Sequence, residues 1–432
     1  MIQLKTALGP VPNRWAVAPL RHCVELRNDR TRNDSDLGPP IGLEHVESWT
    51  GRLASRPDDD ETEGQHSLFR RGDVLFAKLR PYLAKAHRAQ DDGACSAELL
   101  VLRPRTIDAG YLTYCLLSPT WVSLIDSSTF GSKMPRANWE FIGHQVLPVP
   151  SMHEQRAIAD FLDRETERIV ALVAKKQRLI ELLQEERTAV ISHTVTKGLD
   201  PEAPMKDSGI EWLSRMPATW EVRRLKQLTE FVTSGSRGWA EFYADEGPIF
   251  IRITNLDRKS VDLELSNVQH VNPPVGSEGE RTRVRAGDVL VSITADVGTV
   301  GIVPDGLGAA YVNQHTALIR PQSSSVEPRW LALALHSGVG QRQFAALLQG
   351  GTKLGLNLDD VRNLIVPVPP LADQRRLMRH IDDAGERLGT LSATVSSALE
   401  RLREHRSALI TAAVTGQIDV GARKARRQAE GP

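Results

Sequence analysis

Leu147-Pro148-Val149-Pro150-Ser151 runs directly into Met152-His153-Glu154-Gln155-Arg156. At an offset of 219 residues, Val366-Pro367-Val368-Pro369-Pro370 runs into Leu371-Ala372-Asp373-Gln374-Arg375. The same offset carries Arg187 onto Arg406 and Val195-Thr196 onto Val414-Thr415. Upstream the match persists but drifts. Gly72-Asp73-Val74-Leu75 matches Gly287-Asp288-Val289-Leu290 at 215, and Trp15, Val17 and Leu20 match Trp220, Val222 and Leu225 at 205. One shared dipeptide is chance, whereas a collinear set is a duplicated chain. Each half therefore holds a part of variable length followed by a part of fixed length.

The fixed parts read as long helices. Proline excludes the α conformation from the residue before it, so each Pro-rich run is an extended exit from a globular part into a helix. Ser151 suits the helix N-cap, with Glu154 three residues on, and Gly198 suits the stop. Ile158, Leu162, Glu165, Ile169, Leu172, Lys176, Leu179 and Leu183 follow alternating steps of four and three. Leu377, Ile381, Ala384, Leu388, Leu391, Val395, Ala398 and Leu402 repeat that stripe in the same register. This is a coiled-coil seam, and a helix of this length needs a partner for its stripe. The other copy is the expected partner; the plainer alternative is an amphipathic helix lying on its own domain. About 40 residues at 1.5 Å each span roughly 60 Å.

The chain has 432 residues with 54 Lys+Arg against 54 Asp+Glu, 41% hydrophobic content and three cysteines. That length suggests two to four domains. Cys23, Cys95 and Cys115 form no CxxC pair and no even framework, so a reducing, cytoplasmic setting is expected and a zinc site is not. No apolar run is long enough for a membrane span, and Met1 to Trp15 does not read as a signal peptide. Zero net charge removes the global argument for nucleic-acid binding, so any such reading rests on local features. The variable parts mix short strands (Asp73 to Leu79, Ala97 to Leu102, Ile249 to Ile253, Asp288 to Ile293, Thr316 to Arg320) with helices around Tyr111 to Ile125 and Leu331 to Leu348. An α+β fold follows. The expected divisions are 1–150, a helix over 151–199, a lead-in over 200–213, 214–370, a second helix over 371–420 and a basic tail over 421–432.

The usual catalytic motifs are missing. Gly-Lys never occurs, which excludes a P-loop, and neither H-E-x-x-H nor G-x-S-x-G appears. Asn272-Pro273-Pro274-Val275 approaches the Asn-Pro-Pro-aromatic signature of adenine-N6 methyltransferases, but Val275 stands where the aromatic would stack on a flipped base. It reads as a turn. Pro57-Asp58-Asp59-Asp60-Glu61 resembles a carboxylate cluster, yet it sits in an acidic run without a following lysine and reads as a solvated loop. Asp73 and Asp288, each after a glycine, read as turns at strand starts rather than as acid–base groups.

The collinear motifs resemble the specificity subunit of type I restriction-modification systems. Gly72-Asp73-Val74-Leu75-Phe76-Ala77-Lys78-Leu79-Arg80-Pro81-Tyr82-Leu83 is similar to the family's Gly-Asp strand motif. Gly131-Ser132-Lys133-Met134-Pro135-Arg136-Ala137-Asn138 and Gly350-Gly351-Thr352-Lys353-Leu354-Gly355-Leu356-Asn357-Leu358 resemble its loop before the last helix of a recognition domain. Pro148-Val149-Pro150 with Glu154-Gln155-Arg156, and Pro369-Pro370-Leu371-Ala372-Asp373-Gln374-Arg375, resemble the junction into its helix. Asp207-Ser208-Gly209-Ile210-Glu211-Trp212-Leu213 resembles the lead-in to a second recognition domain, and nothing like it precedes Trp15. The second junction also departs by one residue, Asp373 standing where the first has Glu154. The resemblance implies two tandem α/β target-recognition domains separated by two long antiparallel coiled-coil helices with pseudo-two-fold symmetry. It also implies that each domain reads one half of a split double-stranded DNA target, with the helices as spacer and no catalytic site in this chain. The implied partners are two methyltransferase subunits and, through them, restriction motor subunits. S-adenosylmethionine, ATP and Mg are expected on those partners and no metal or cofactor here.

The rival readings are a self-sufficient DNA adenine methyltransferase and a coiled-coil scaffold that does not bind DNA. Each recognition part is about electrically balanced, which suggests a modest grip on phosphate by this chain alone. The DNA-contact candidates are Lys78, Arg80, Lys133 and Arg136 in the first half, and Arg237, Arg252, Thr352 and Lys353 in the second. They are basic or hydroxyl-bearing residues, most of them near loop glycines that permit close approach to phosphate, and Arg can bind guanine through two bonds. The alternative for each is a solvated surface charge. Trp139 and Trp239 suit either the core or base stacking.

Overall fold

The computed structural model describes residues 4–31, 39–54, 65–131, 133–210, 212–235, 237–274, 276–349 and 355–420. They fall into two compact bodies: Met1–Gln177 with Ser397–Pro432, and Arg178–Ser396.

In the first body the named strands are Ala16–Pro19 (β1), Val24–Arg27 (β2), Val74–Ala77 (β3), Ala86–Arg88 (β4), Leu99–Pro104 (β5) and Val146–Val149 (β6). In the second they are Glu221–Arg224 (β7), Thr229–Ser234 (β8), Val289–Ser292 (β9), Val300–Ile302 (β10), Thr316–Pro321 (β11) and Ile365–Val368 (β12). Each body has an antiparallel four-stranded sheet of one order, β2-β5-β3-β4 and β8-β11-β9-β10. Buried runs such as Val74-Leu75-Phe76-Ala77 and Val289-Leu290-Val291-Ser292 identify β3 and β9 as strands covered on both faces. A second sheet differs between the bodies. The first has three short antiparallel strands, Arg30–Thr31, His66–Phe69 and Gly93–Ser96. The second pairs Tyr243–Ile251 antiparallel with Gln269–Val271 and parallel with Ala310–Val312.

The Gly-Asp repeat is structural. Gly72 and Gly287 take positive φ of 88° and 81°, where a side chain is strained. The following aspartates are almost wholly buried and close the turn. Asp73 accepts from the Arg70 N–H at 2.8 Å and Asp288 from the Arg285 N–H at 2.7 Å. Each also holds a guanidinium: Arg27 at 3.1 Å from Asp73, and Arg320 in a two-bonded fork at 2.7 and 2.8 Å from Asp288.

The helices are Ala109–Leu116 (α1), Pro119–Ser127 (α2), Trp139–His144 (α3), Met152–Lys197 (α4), Pro328–His336 (α5), Gly338–Gln349 (α6), Leu358–Asn363 (α7) and Leu371–Val414 (α8). The single helices expected over Tyr111 to Ile125 and Leu331 to Leu348 are each broken in two. The breaks fall at buried Ser118 and Ser337, 219 residues apart. Ser118 caps the next helix by accepting from the Trp121 N–H, and Pro119 cannot continue the first. Ser337 donates to the Ala334 carbonyl and accepts from the Val339 N–H.

The Pro-rich exits are strands. β6 pairs with β1 and β12 with β7, placing Pro148 opposite Val17 and Pro367 opposite Val222. A two-stranded ribbon has free outer edges, so the missing proline donors cost no ladder bond. The lead-in hairpin of the second body, Met205–Asp207 with Arg215–Pro217, also has a counterpart before Trp15. There Leu4–Thr6 pairs with Gly9–Val11 through a two-residue turn, a match that the missing loop sequence concealed.

At each junction one buried glutamine joins three elements. The Gln155 amide donates to the Pro150 carbonyl and accepts from the Asp108 N–H, at 2.8 and 2.7 Å. Gln374 does the same with Pro369 and Glu327, both at 2.8 Å. Asp108 and Glu327 are the N-caps of α1 and α5, so the helix start is tied to the sheet exit and to a domain helix. Ser151 and Glu154 form the expected capping box at the start of α4.

The long helices meet within each body. In the first, Ile158, Leu162 and Ile169 of α4 share a core with Leu409, Ile410, Ala413 and Val414 of α8. In the second, Ile191 and Val195 of α4 share one with Leu377 and Ile381 of α8. The beginning of one helix thus meets the end of the other, an antiparallel pairing. The seam itself needs correction. Leu172, Leu179 and Leu391 are exposed, Leu172 at 47%. The inward stripe on α4 runs Leu162, Thr166, Ile169, Val173, Lys176, Ile180, Leu183 and Arg187. On α8 it runs Ile381, Gly385, Leu388, Ser392, Val395, Leu399, Leu402 and Arg406, again offset by 219. Alternate members agree with the expected seam and the others lie one residue later. One residue turns a helical side chain by about 100°, so small or polar Thr166, Gly385 and Ser392 turn inward while leucines face out. Among the described residues no helix is long and apolar enough to cross a membrane.

Candidate nucleic-acid interface

β3 ends at Ala77 and the chain continues through Lys78, Leu79 and Arg80. The Lys78 N–H donates to Glu98 O at 3.1 Å, and Lys78 O accepts from the Ala137 N–H at 2.9 Å. The Arg80 N–H donates to Pro135 O at 2.8 Å, and Leu79 bridges Arg136. The loop holding Lys133 and Arg136 is therefore strapped onto the segment holding Lys78 and Arg80, and all four first-half candidates share the end of one sheet. They are not equivalent. Arg80 and Lys133 are exposed and Lys78 half-buried, whereas Arg136 forks onto Glu98 with bonds of 3.1–3.3 Å. Arg136 therefore holds the loop in place.

The second body repeats this backbone plan. The Leu356 N–H donates to Ile293 O at 2.8 Å and Thr294 bridges Gly355. Thr352 and Lys353 lie outside the described residues. Arg237 is exposed, two residues beyond Gly235. A Cβ on Gly235 would lie 2.0 Å from Val312 O, so only glycine fits this close approach. Arg252 follows Ile251, whose carbonyl accepts from the Asn313 N–H at 3.1 Å. Its N–H donates to Asn255 Oδ1 at 3.0 Å, while its buried Nε has no partner among the described residues. Gly235 and Arg252 thus flank the turn from Val312 to Thr316.

That turn carries groups the sequence did not single out. His315 Nδ1 lies 2.6 Å from Thr294 Oγ1 and its Nε2 lies 2.9 Å from Gln314 Nε2. The His315 ring thus bridges Thr294 and Gln314. Arg281 donates to Thr233 Oγ1 at 2.5 Å and Ser234 O at 3.0 Å. In the first body, exposed Tyr82, Phe130 and Met134 stand beside the basic candidates. Sliding one repeat along the other would have pointed to Thr294, which falls 215 residues after Leu79. Exposure of an aromatic in a loop leaves no periodic signal. Trp239 is core, stacked on Phe250 with centroids 5.6 Å apart, and Trp139 is half-buried.

Of the decoys, only the Asn272 segment falls in part among the described residues. The Asn272 N–H donates to Phe242 O at 2.9 Å, closing a turn after Gln269–Val271. Val275 and Pro57 to Glu61 lie outside the described residues, as does the tail from Gly421. Among the described residues no three His, Cys, Asp or Glu side chains are grouped to hold a metal.

A polar cleft lies where the long helix meets its body. In the second body it is about 280 Å³, lined by Arg187, Asp262, Arg329, His336, Asp382 and Glu386 among others. Burial lowers the pKa of His336, Arg187 and Arg258 lower it further, and Asp257 opposes them. Leu117 lines the corresponding cleft of about 420 Å³ in the first body.

Two bodies of one plan, each with a different loop set at the same end of its sheet, define a tandem-duplicated α+β protein. A family model described as the type I restriction modification DNA specificity domain matches residues 68–182 and 217–401, and the chain belongs to that family. It is 23% identical over 306 residues to the type I restriction enzyme EcoBI specificity subunit of Escherichia coli, an alignment covering 69% of this chain and 64% of that protein. The chain thus spans just under two thirds of that relative's length. It is 20% identical over 334 residues to the MjaVIII specificity subunit of Methanocaldococcus jannaschii, covering 76% and 75% of the two chains. Among solved structures, a chain from a study of complex assembly and conformational transition in the type I R-M system gives a TM-score of 0.74 at 19% identity, covering 94% of this chain and 99% of that one. The HsdS subunit from Thermoanaerobacter tengcongensis gives 0.52 at 20%, covering 95% and 98%.

Proposed function

We propose that this chain is the DNA-specificity subunit of a type I restriction-modification complex. It binds a bipartite, asymmetric duplex target, one half per body, and scaffolds methyltransferase subunits and, through them, restriction motor subunits. The observation that carries the reading is the loop set at one end of each sheet: the same backbone straps in both bodies, different side chains upon them. Two related but unlike readers call for two related but unlike half-sites, and helix-based spacers suit half-sites about one turn, roughly 34–36 Å, apart. Basic side chains and loop backbone position phosphate, while forks and amides read base edges. Catalysis belongs to the partners in this reading, which bring S-adenosylmethionine, ATP and Mg.

The test is to map methylated adenines in cells carrying this chain with its methyltransferase partner. The expected result is one split motif with unlike halves and a fixed gap, absent when either gene is removed. Methyl transfer from S-adenosylmethionine to DNA by this chain alone overturns the non-catalytic reading. A contiguous motif, or none, overturns the bipartite one.

A further inference from the structure

We propose that the hairpin tip at Phe130 is an apolar wedge that enters the stacked bases of the duplex at one step of the first half-site. This rests on the specificity-subunit reading above and adds to it a local distortion of the DNA. Phe130 is 64% exposed, Met134 50% and Tyr82 44%. Such side chains are costly to leave in water, and here they share one place. The base of the hairpin is tied by its backbone. Phe130 and Arg136 exchange backbone bonds at 3.2 and 3.1 Å, and Gly131 turns the chain with φ of 91°. Arg136 is locked by its fork onto Glu98, and Arg80 is bonded to Pro135.

The charge around the tip selects the occupant. Lys133 stands on the tip itself, Arg80 immediately precedes the turn holding Tyr82, and Lys78 lies behind. Glu98, the acid bonded to this segment, is neutralised by Arg136. An aromatic projecting from a basic, anchored hairpin fits a polyanion with an apolar interior, namely stacked base pairs flanked by phosphate. Wedges of Phe, Met or Pro unstack a base step in this way, and flexible pyrimidine–purine steps yield most readily. The second body offers no described aromatic at the matching position, since 350–354 lie outside the described residues.

The probe is the mapped target duplex carrying 2-aminopurine at each position of both half-sites in turn, bound by the complex of this chain with its methyltransferase partner. Besides the target adenines that the methyltransferase subunits flip, wild type is expected to raise fluorescence several-fold at one further step. Phe130→Ala should abolish that rise and weaken binding about tenfold, while Phe130→Leu should retain part of both. The melting temperature should not change, because the residue is exposed. If that further rise survives Phe130→Ala, or if no step brightens apart from the flipped adenines, the wedge is overturned while the specificity reading stays intact. So does a Phe130→Ala variant that releases the methyltransferase partner but distorts DNA as wild type does, which would assign the tip to a protein surface. Failure of the specificity reading is separate: no methylated motif would exist from which to make the probe.

Discussion

Gln155 joins Pro150 to the α1 N-cap with bonds of 2.8 and 2.7 Å, and Gln374 joins Pro369 to the α5 N-cap with two bonds of 2.8 Å. At the far ends of the sheets the correspondence stops at the backbone. Glu98, locked to Arg136 in the first body, falls on His315 in the second, bonded to Thr294 and Gln314. The contrast shows how one plan can carry two different loop sets. The junction is made by side chains, so changing one of them unties a helix. The straps common to both loops are main-chain bonds, which any side chain except proline permits, so their chemistry is free to differ, as the added Arg136–Glu98 fork of the first body shows.

The largest expected effect tests whether the buried ion pairs are equal. Asp288→Ala leaves Arg320 over the Phe231 ring and against the Arg283 carbonyl but takes away the carboxylate of its fork, and should cost about 3–5 kcal/mol of second-body stability by thermal or denaturant unfolding. Asp73→Ala should cost less, because Arg27 keeps Asp29 at 3.2 Å. Equal losses would break that distinction.

Gln155→Leu and Gln374→Leu come next. Each orphans a buried N–H and a buried carbonyl at about 1–3 kcal/mol per group, and the two variants should agree. Unequal losses would refute the equivalence of the junctions. Smaller still, Lys133→Ala and Arg237→Ala should each lower the log–log salt slope of target binding by about one. An unchanged slope would remove that side chain from the phosphate contacts.

The smallest effect concerns the clefts, where His336 occupies the place of Leu117. Its pKa is depressed in the folded state, so the unfolded chain takes up the proton first as pH falls through about 6.5. That contribution to stability is present above this pH and is lost below it. Unfolding midpoints of wild type should therefore fall more steeply from pH 7.5 to 5.5 than those of His336→Leu. Parallel curves would show that Arg187, Arg258 and Asp257 leave the imidazole unperturbed.

The duplication, the α+β class and the two long helices were legible because repeats and apolar periods survive in a single sequence. The seam was half legible. Period alone fixed Leu162, Ile169 and Leu183 but could not decide between Glu165 and Thr166, because a helix that packs on its own body as well as on a partner has a wide inward stripe. The helix breaks at Ser118 and Ser337 were hidden inside apolar runs. In the candidate interface, Lys78, Arg80, Lys133 and Arg136 were found by type, yet only geometry separates the locked Arg136 from the free Lys133. Thr294 was within reach of the repeat offset, but Gln314 and His315 gave no signal because their meeting with it spans 21 residues and depends on sheet order.

The glutamine at each junction has one more consequence. A carboxylate or imidazole in that seat would loosen its grip with acidity, and a surface ion pair would weaken with salt. A carboxamide carries no charge to gain or lose. Within each body the tie between helix start and sheet exit therefore keeps its two bonds across changes of pH and salt that would loosen a charged seat.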